Sequence, residues 1–191
     1  GRKIYVPADS QVSNQTEVDF AGRRDISVKI QKSFFSGGKE TMSMHTVAVM
    51  GLGVRGKIHL HGLLENPDYY KVVGLCDIDE PKMKAVAEEY HLDDVPLFTD
   101  AEEMLKETRP EIFVFVTYPD LRLSVIQLAV KYGVKGISFE KPMAESLQEA
   151  KKIVKLCHDN GIKAVVCHQQ KYLSQMQTLK KRIEDGEIGE I

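Results

Sequence analysis

The chain has 191 residues, 42% of them apolar and 28% charged, with a formal net charge of −2. This is the composition of a globular protein long enough to bury a core, and it offers no basic surface for nucleic acid, since the longest basic run is Lys180-Lys181-Arg182. No run of about eighteen apolar residues could cross a membrane, the start Gly1-Arg2-Lys3-Ile4-Tyr5 lacks the apolar segment of a signal peptide, and three scattered cysteines (Cys76, Cys157, Cys167) fit a reducing cytoplasm better than a disulfide framework.

Residues 1–43 read differently from the rest. Val18 and Phe20, then Ile26, Val28 and Ile30, alternate with polar neighbours on either side of Ala21-Gly22-Arg23-Arg24-Asp25. That period of two predicts a β-hairpin with one buried face. Ser33 to Glu40 contains Ser36-Gly37-Gly38 and reads as a linker. A lone two-stranded hairpin is marginal in water, so it needs something to pack on, such as a second subunit.

From residue 46 strands and helices alternate. Thr46–Met50 is a short apolar run ending in glycines, and a helix follows from Val54 to Leu64. Val72–Cys76 is the second strand, and Pro81 opens a helix running to Tyr90. Val95–Phe98 is a short strand, followed by a helix over Ala101–Glu107. Ile112–Val116 is an unbroken apolar run, as a strand buried on both faces should be. A helix over Asp120–Tyr132 carries Leu121, Val125, Leu128 and Ala129 on one face, and Gly133 ends it. Val134–Phe139 is the fifth strand. Ser146 and Glu149 stand at capping-box positions of a helix whose Leu147, Ala150, Val154 and Cys157 share a face. Lys163–Cys167 is a sixth strand, and a last helix runs from Ser174 to Glu184. This alternation predicts right-handed βαβ units and a doubly wound, mostly parallel α/β sheet with helices on both faces. The expected organisation is a hairpin extension over 1–43, a Rossmann domain over 44–168 and a further helix over 169–191.

Gly51-Leu52-Gly53-Val54-Arg55-Gly56 is a G-x-G-x-x-G segment that directly follows a strand and opens a helix, the context in which the motif has meaning. Gly51 permits the tight turn, Gly53 lets backbone approach a pyrophosphate, and Gly56 lets helix and sheet pack closely. The amides of Val54 and Arg55 then point at the phosphates, aided by the helix dipole. The second strand ends in Asp77, about twenty residues beyond the glycines, where an acid accepts bonds from ribose hydroxyls and repels a 2′-phosphate. Ile78 follows it, with no arginine to greet that phosphate, so NAD is favoured over NADP. A mononucleotide, a flavin or a bare glycine turn remains the competing reading of these residues.

After the fifth strand comes Glu140-Lys141-Pro142. Taken in order, the loop at 51–56, Asp77, Thr117-Tyr118-Pro119-Asp120 and Glu140-Lys141-Pro142 resemble the Gfo/Idh/MocA oxidoreductase family, and residues 179–189 resemble the helix leading into that family's second domain. The resemblance implies that Lys141 sits beside the nicotinamide and holds the substrate oxygen, where its charge stabilises developing alkoxide. It implies that Glu140 contacts the nicotinamide-side ribose, that Thr117, Tyr118 and Pro119 line the cofactor, and that the Lys141–Pro142 bond is cis. It further implies a second domain with an open antiparallel sheet that supplies a general base and a dimer interface. This chain ends at Ile191, where that domain should begin, so the expectation is either a fragment or a protein without the C-terminal domain; a homo-oligomer is expected as well. Arg122 stands where the family often has histidine, and Lys171 where it often has arginine.

Three functions follow as expectations. The first is an NAD-dependent oxidoreductase moving a hydride between nicotinamide and a hydroxyl carbon of a sugar or polyol. The second is NAD-assisted glycoside hydrolysis through transient oxidation. The third is a non-catalytic nucleotide-binding sensor. Cys157-His158 and Cys167-His168 match no common zinc spacing, so no metal is expected. His168, just past the sixth strand, is a candidate for the substrate pocket. His59 and His61, two apart on one helix, are read as structural.

Overall fold

The computed structural model describes residues 43–189. The hairpin expected over residues 18–30 lies outside them. Six strands form one parallel sheet: β1 (His45–Met50), β2 (Tyr70–Cys76), β3 (Leu97–Phe98), β4 (Ile112–Phe115), β5 (Gly136–Glu140) and β6 (Lys163–Cys167), in the order β3-β2-β1-β4-β5-β6. Between and after them run α1 (Val54–Leu64), α2 (Glu80–Glu89), α3 (Ala101–Thr108), α4 (Arg122–Lys131), α5 (Leu147–Asp159) and α6 (Ser174–Glu184).

Both faces of the central strands are covered. Val47 and Val49 of β1 point to one side, where they pack with Leu60 of α1, Val72 and Leu75 of β2, and Met83 and Val86 of α2. Ala48 points to the other, with Phe113 and Phe115 of β4, Phe139 of β5, Met104 and Leu105 of α3, Ile126 and Ala129 of α4, and Ile153 and Cys157 of α5. This is why β1 and β4 carry unbroken apolar runs rather than an alternating pattern. Along β4 and β5 three rings form a row: Phe113 and Phe115 lie 5.3 Å apart by centroid, and Phe115 stacks on Phe139 at 5.1 Å.

Three expectations need correcting. Asp120 is not in the helix: Pro119–Leu121 is a 3-10 turn, α4 starts at Arg122, and Leu121 is exposed. Such a turn is a common entry to an α-helix. In α5 the buried stripe is rotated towards Ile153, which with Cys157 forms an i, i+4 pair against the sheet, while Leu147 and Val154 face outwards. The fifth strand begins at Gly136 rather than Val134, because the Val134 amide closes the end of α4 by bonding to the Ala129 carbonyl. Ser146 caps α5 as its capping-box position predicts, accepting from the Glu149 amide, and the structure adds Asp79 and Asp100, which cap α2 and α3 in the same way. No helix among the described residues is long and apolar enough to cross a membrane.

Candidate functional site

The order of the sheet reverses at β1: β2 and β3 lie on one side of it, β4 to β6 on the other. Crossovers therefore leave β1 and β4 in opposite directions and open a crevice beyond their carboxyl ends, where open α/β sheets bind ligands. The residues singled out from the sequence sit around that crevice at strand ends or helix starts.

The glycine loop leads from β1 into α1. Gly51 has φ +84°, and a Cβ there would collide with the Val116 carbonyl. At Gly56 a Cβ would collide with the carbonyl of Gly51. At Gly53, by contrast, a Cβ would meet no atom within 4 Å. The first and third glycines are therefore demanded by the chain itself, while the second faces open space. Gly53 is also the N-cap of α1, gives it no side-chain cap, and the first turn holds no acid. The leading amides of α1, those of Val54 and Arg55 among them, thus stand at a positive helix end beside an open approach, which suits a phosphate.

Asp77 ends the run of β2 and is buried at 7% exposure. Its Oδ2 accepts from the Leu52 amide at 2.6 Å, and its Oδ1 accepts from the Asp79 amide at 3.0 Å and pairs with Lys82 Nζ at 2.9 Å. Burial alone pushes its carboxyl upward. The two amides and the Lys82 ammonium outweigh that, and the net shift is downward. Ile78 beside it is almost fully exposed, at 91%. The neighbouring Cys76 is pushed up to about 12, chiefly by burial, so it stays a thiol.

On the far side of the crevice β5 ends in Glu140, also buried. Its Oε1 accepts from Arg55 Nε at 3.0 Å and Arg55 Nη2 at 2.6 Å, and lies 3.1 Å from His59 Nε2. Burial pushes this carboxyl up as well, but the bonds from Arg55 and His59 carry it below the ordinary range. Lys141 follows, exposed, and the Lys141–Pro142 peptide is cis, as the resemblance implied. Thr117 and Pro119 are half-buried beyond β4, and Tyr118 between them is exposed at the crevice edge.

Several residues here carry little signal in the sequence. The spacing of His59 to His61 reads as structural, yet His59 also lies four residues after Arg55, and that spacing puts both on the face of α1 that meets Glu140. Gln169, in a 3-10 turn after β6, accepts from Arg55 Nη1 at 3.2 Å once its amide oxygen is turned towards the guanidinium. Arg122, noted only as a departure from a family pattern, is 1% exposed. Its Nη2 donates to the Thr117 carbonyl at 3.2 Å, its guanidinium sits 5.3 Å above the Phe139 ring, and its Nε and Nη1 have no partner. His168 is exposed and stands at the start of the turn that holds Gln169, with no side-chain bond to it. Cys157 belongs to the core, and Cys167 Sγ lies 3.3 Å from Ser138 Oγ. Among the described residues no three His, Cys, Asp or Glu side chains are grouped as a metal site.

The reversed sheet order, the tight turn into an uncapped helix and the buried acid after β2 define a dinucleotide-binding Rossmann domain. The chain belongs to a family with that fold: the model of the GFO_IDH_MocA oxidoreductase family, NAD-binding Rossmann fold, matches residues 45–168. Among curated relatives, D-apiose dehydrogenase of Paraburkholderia graminis is 28% identical over 142 residues, covering 74% of this chain and 37% of that protein. Inositol 2-dehydrogenase of Salmonella typhimurium is 23% identical over 143 residues, covering 74% and 42%. Among solved structures, myo-inositol 2-dehydrogenase of Lactobacillus plantarum superposes with a TM-score of 0.71 at 20% identity, covering 78% of this chain and 43% of that one. The WlbA dehydrogenase of Bordetella pertussis, solved with NADH and UDP-GlcNAcA, superposes at 0.68 with 24% identity, covering 75% and 43%. The chain thus spans less than half the length of each of these relatives.

Proposed function

We propose that this chain is the cofactor-holding part of an NAD-dependent oxidoreductase that moves a hydride between nicotinamide and a hydroxyl carbon of a sugar or polyol. What supports this reading is the Arg55–Glu140 pair, which ties the helix after the glycine loop to the end of β5, the residue before Lys141. The dehydrogenases of sugars and inositol among its relatives support the substrate class.

The open Cα of Gly53 and the uncapped start of α1 would hold the pyrophosphate. Asp77 is already charged and oriented, and its remaining lone pairs would accept from the adenosine ribose. A carboxylate there repels a 2′-phosphate, which supports NAD over NADP, although Lys82 neutralises part of that repulsion. Glu140 would accept from the second ribose. Nicotinamide, when bound, supplies the hydride acceptor or donor. Lys141, free at the end of β5, would place a positive charge beside the substrate oxygen and stabilise alkoxide character there.

Calorimetric titration with NAD and NADP, followed by a turnover screen with aldoses and inositols, tests this reading. The expected result is saturable NAD binding tighter than NADP. Lys141→Met should keep NAD binding and lower turnover by about a hundredfold or more. A folded chain that binds neither dinucleotide contradicts the proposal.

A further inference from the structure

Glu140 Oε1 takes Arg55 Nε, Arg55 Nη2 and His59 Nε2 together. A carboxylate oxygen offers about two lone-pair positions, so three donors oversubscribe it. None of these three bonds reaches the other oxygen, Oε2. The two sides of the pair are also unequal. The Glu140 side chain is buried at 8% exposure, while that of Arg55 is 39% exposed. Arg55 is therefore the partner that can leave. It is the second residue of α1, next to the open Gly53 and the uncapped amides, and a guanidinium fork suits the oxygens of a diphosphate. If Arg55 left, Glu140 would keep His59 beside it and the buried charge of Arg122 nearby.

We propose that Arg55 is a diphosphate-binding side chain held in reserve by Glu140, and that ligand binding exchanges its partner. In the free crevice the guanidinium is clasped across the opening by Glu140 and Gln169. When a nucleoside diphosphate group enters, Arg55 turns to the phosphate oxygens and Glu140 is released to accept from ribose hydroxyls. The clasp thus makes one end of the crevice sense occupancy of the other. This inference rests on the crevice binding a dinucleotide, as proposed above.

The exchange has a sign that a static clasp lacks: Glu140 competes with the diphosphate for Arg55. ADP, which carries the diphosphate without the second ribose, is the probe. Titrations of ADP into the wild-type chain, Arg55→Met, Glu140→Gln and the double variant form a cycle, with circular dichroism confirming that each folds. Arg55→Met should weaken ADP about tenfold and leave adenosine unchanged. Glu140→Gln should tighten ADP about threefold or more in the wild-type background and change it by less than about twofold in the Arg55→Met background. Arg55→Lys, which keeps the charge without the fork, should fall between wild type and Arg55→Met, and it replaces Arg55→Met in the cycle if that variant does not fold. A gain from Glu140→Gln of equal size in both backgrounds overturns the exchange, because it is then only the loss of a repelling charge. No gain, or a loss, also overturns it. If the folded wild-type chain binds neither ADP nor NAD, the dinucleotide reading itself fails, and this one with it.

Discussion

The carboxylate of Asp77 grips the amide of Leu52 at 2.6 Å, so the acid after β2 holds the glycine loop after β1. Asp77 therefore acts on the crevice twice: it shapes the loop, and it offers a charge to the ribose. Asp77→Ala should cost about 1.5–3 kcal/mol in urea denaturation, the scale of a lost hydrogen bond to a charged group plus an orphaned amide. A purely ribose-facing acid would leave stability unchanged.

Acid should unfold this domain through the two buried carboxylates. Despite burial, the carboxyls of Asp77 and Glu140 are both held below their ordinary values, Asp77 by the amides of Asp79 and Leu52 and by Lys82, Glu140 by Arg55 and His59. Their contribution is therefore fully present above those ordinary, unfolded values and is lost as pH falls through the lower, folded ones. Urea midpoints should hold between pH 7 and about 5 and fall steadily below about pH 4. Glu140→Gln should show a shallower fall over the acid range. An unchanged slope would mean that Glu140 is not held charged by Arg55 and His59.

Arg122 is a buried charge with two unsatisfied donors, one bond to the Thr117 carbonyl and a ring beneath it. Burial lowers its affinity for its proton, which marks the cost of keeping it there. Replacing a buried charge by an apolar side chain of similar length is often neutral or stabilising. Arg122→Met should therefore unfold at the wild-type temperature or above it, whereas Arg122→Ala should lose about 2–4 kcal/mol to the cavity left beside Phe139. Marked destabilisation by Arg122→Met would show that the Thr117 carbonyl and the nearby charge of Glu140 outweigh the cost of burying the guanidinium.

Periodicity and its glycine and proline breaks located the six strands and six α-helices of the described region, because β1 and β4 must be apolar on both faces; the 3-10 turns at Pro119–Leu121 and Gln169–Tyr172 carry no such signal. Ends were harder to read. The start of α4 at Arg122 is set by the 3-10 turn at Pro119, and the start of β5 by the Val134 amide closing a helix; both depend on who accepts a bond, which spacing does not encode. In α5 two apolar stripes compete, and contact with the sheet chose the one through Ile153. The crevice was legible as backbone: Gly51, Gly53, Gly56 and Asp77 stand where their spacing put them. Its side-chain chemistry was less so. Arg55 and His59 carry an i, i+4 signal in the sequence, but their shared partner Glu140 lies 85 and 81 residues away, on a different βα unit.

If the space over Gly53 is kept for a dinucleotide, two glycine variants should separate binding from folding. Gly56→Ala should unfold or strongly destabilise the chain, since its Cβ has nowhere to go against the Gly51 carbonyl. Gly53→Ala meets nothing, so its melting temperature should stay within a few degrees of wild type. The decisive measurement is calorimetric titration of NAD into the wild-type chain and into Gly53→Ala. The first should bind saturably and the second about tenfold or more weakly, because the new methyl occupies the pyrophosphate's approach. Equal affinity in both, or no binding by the folded wild-type chain, would contradict it.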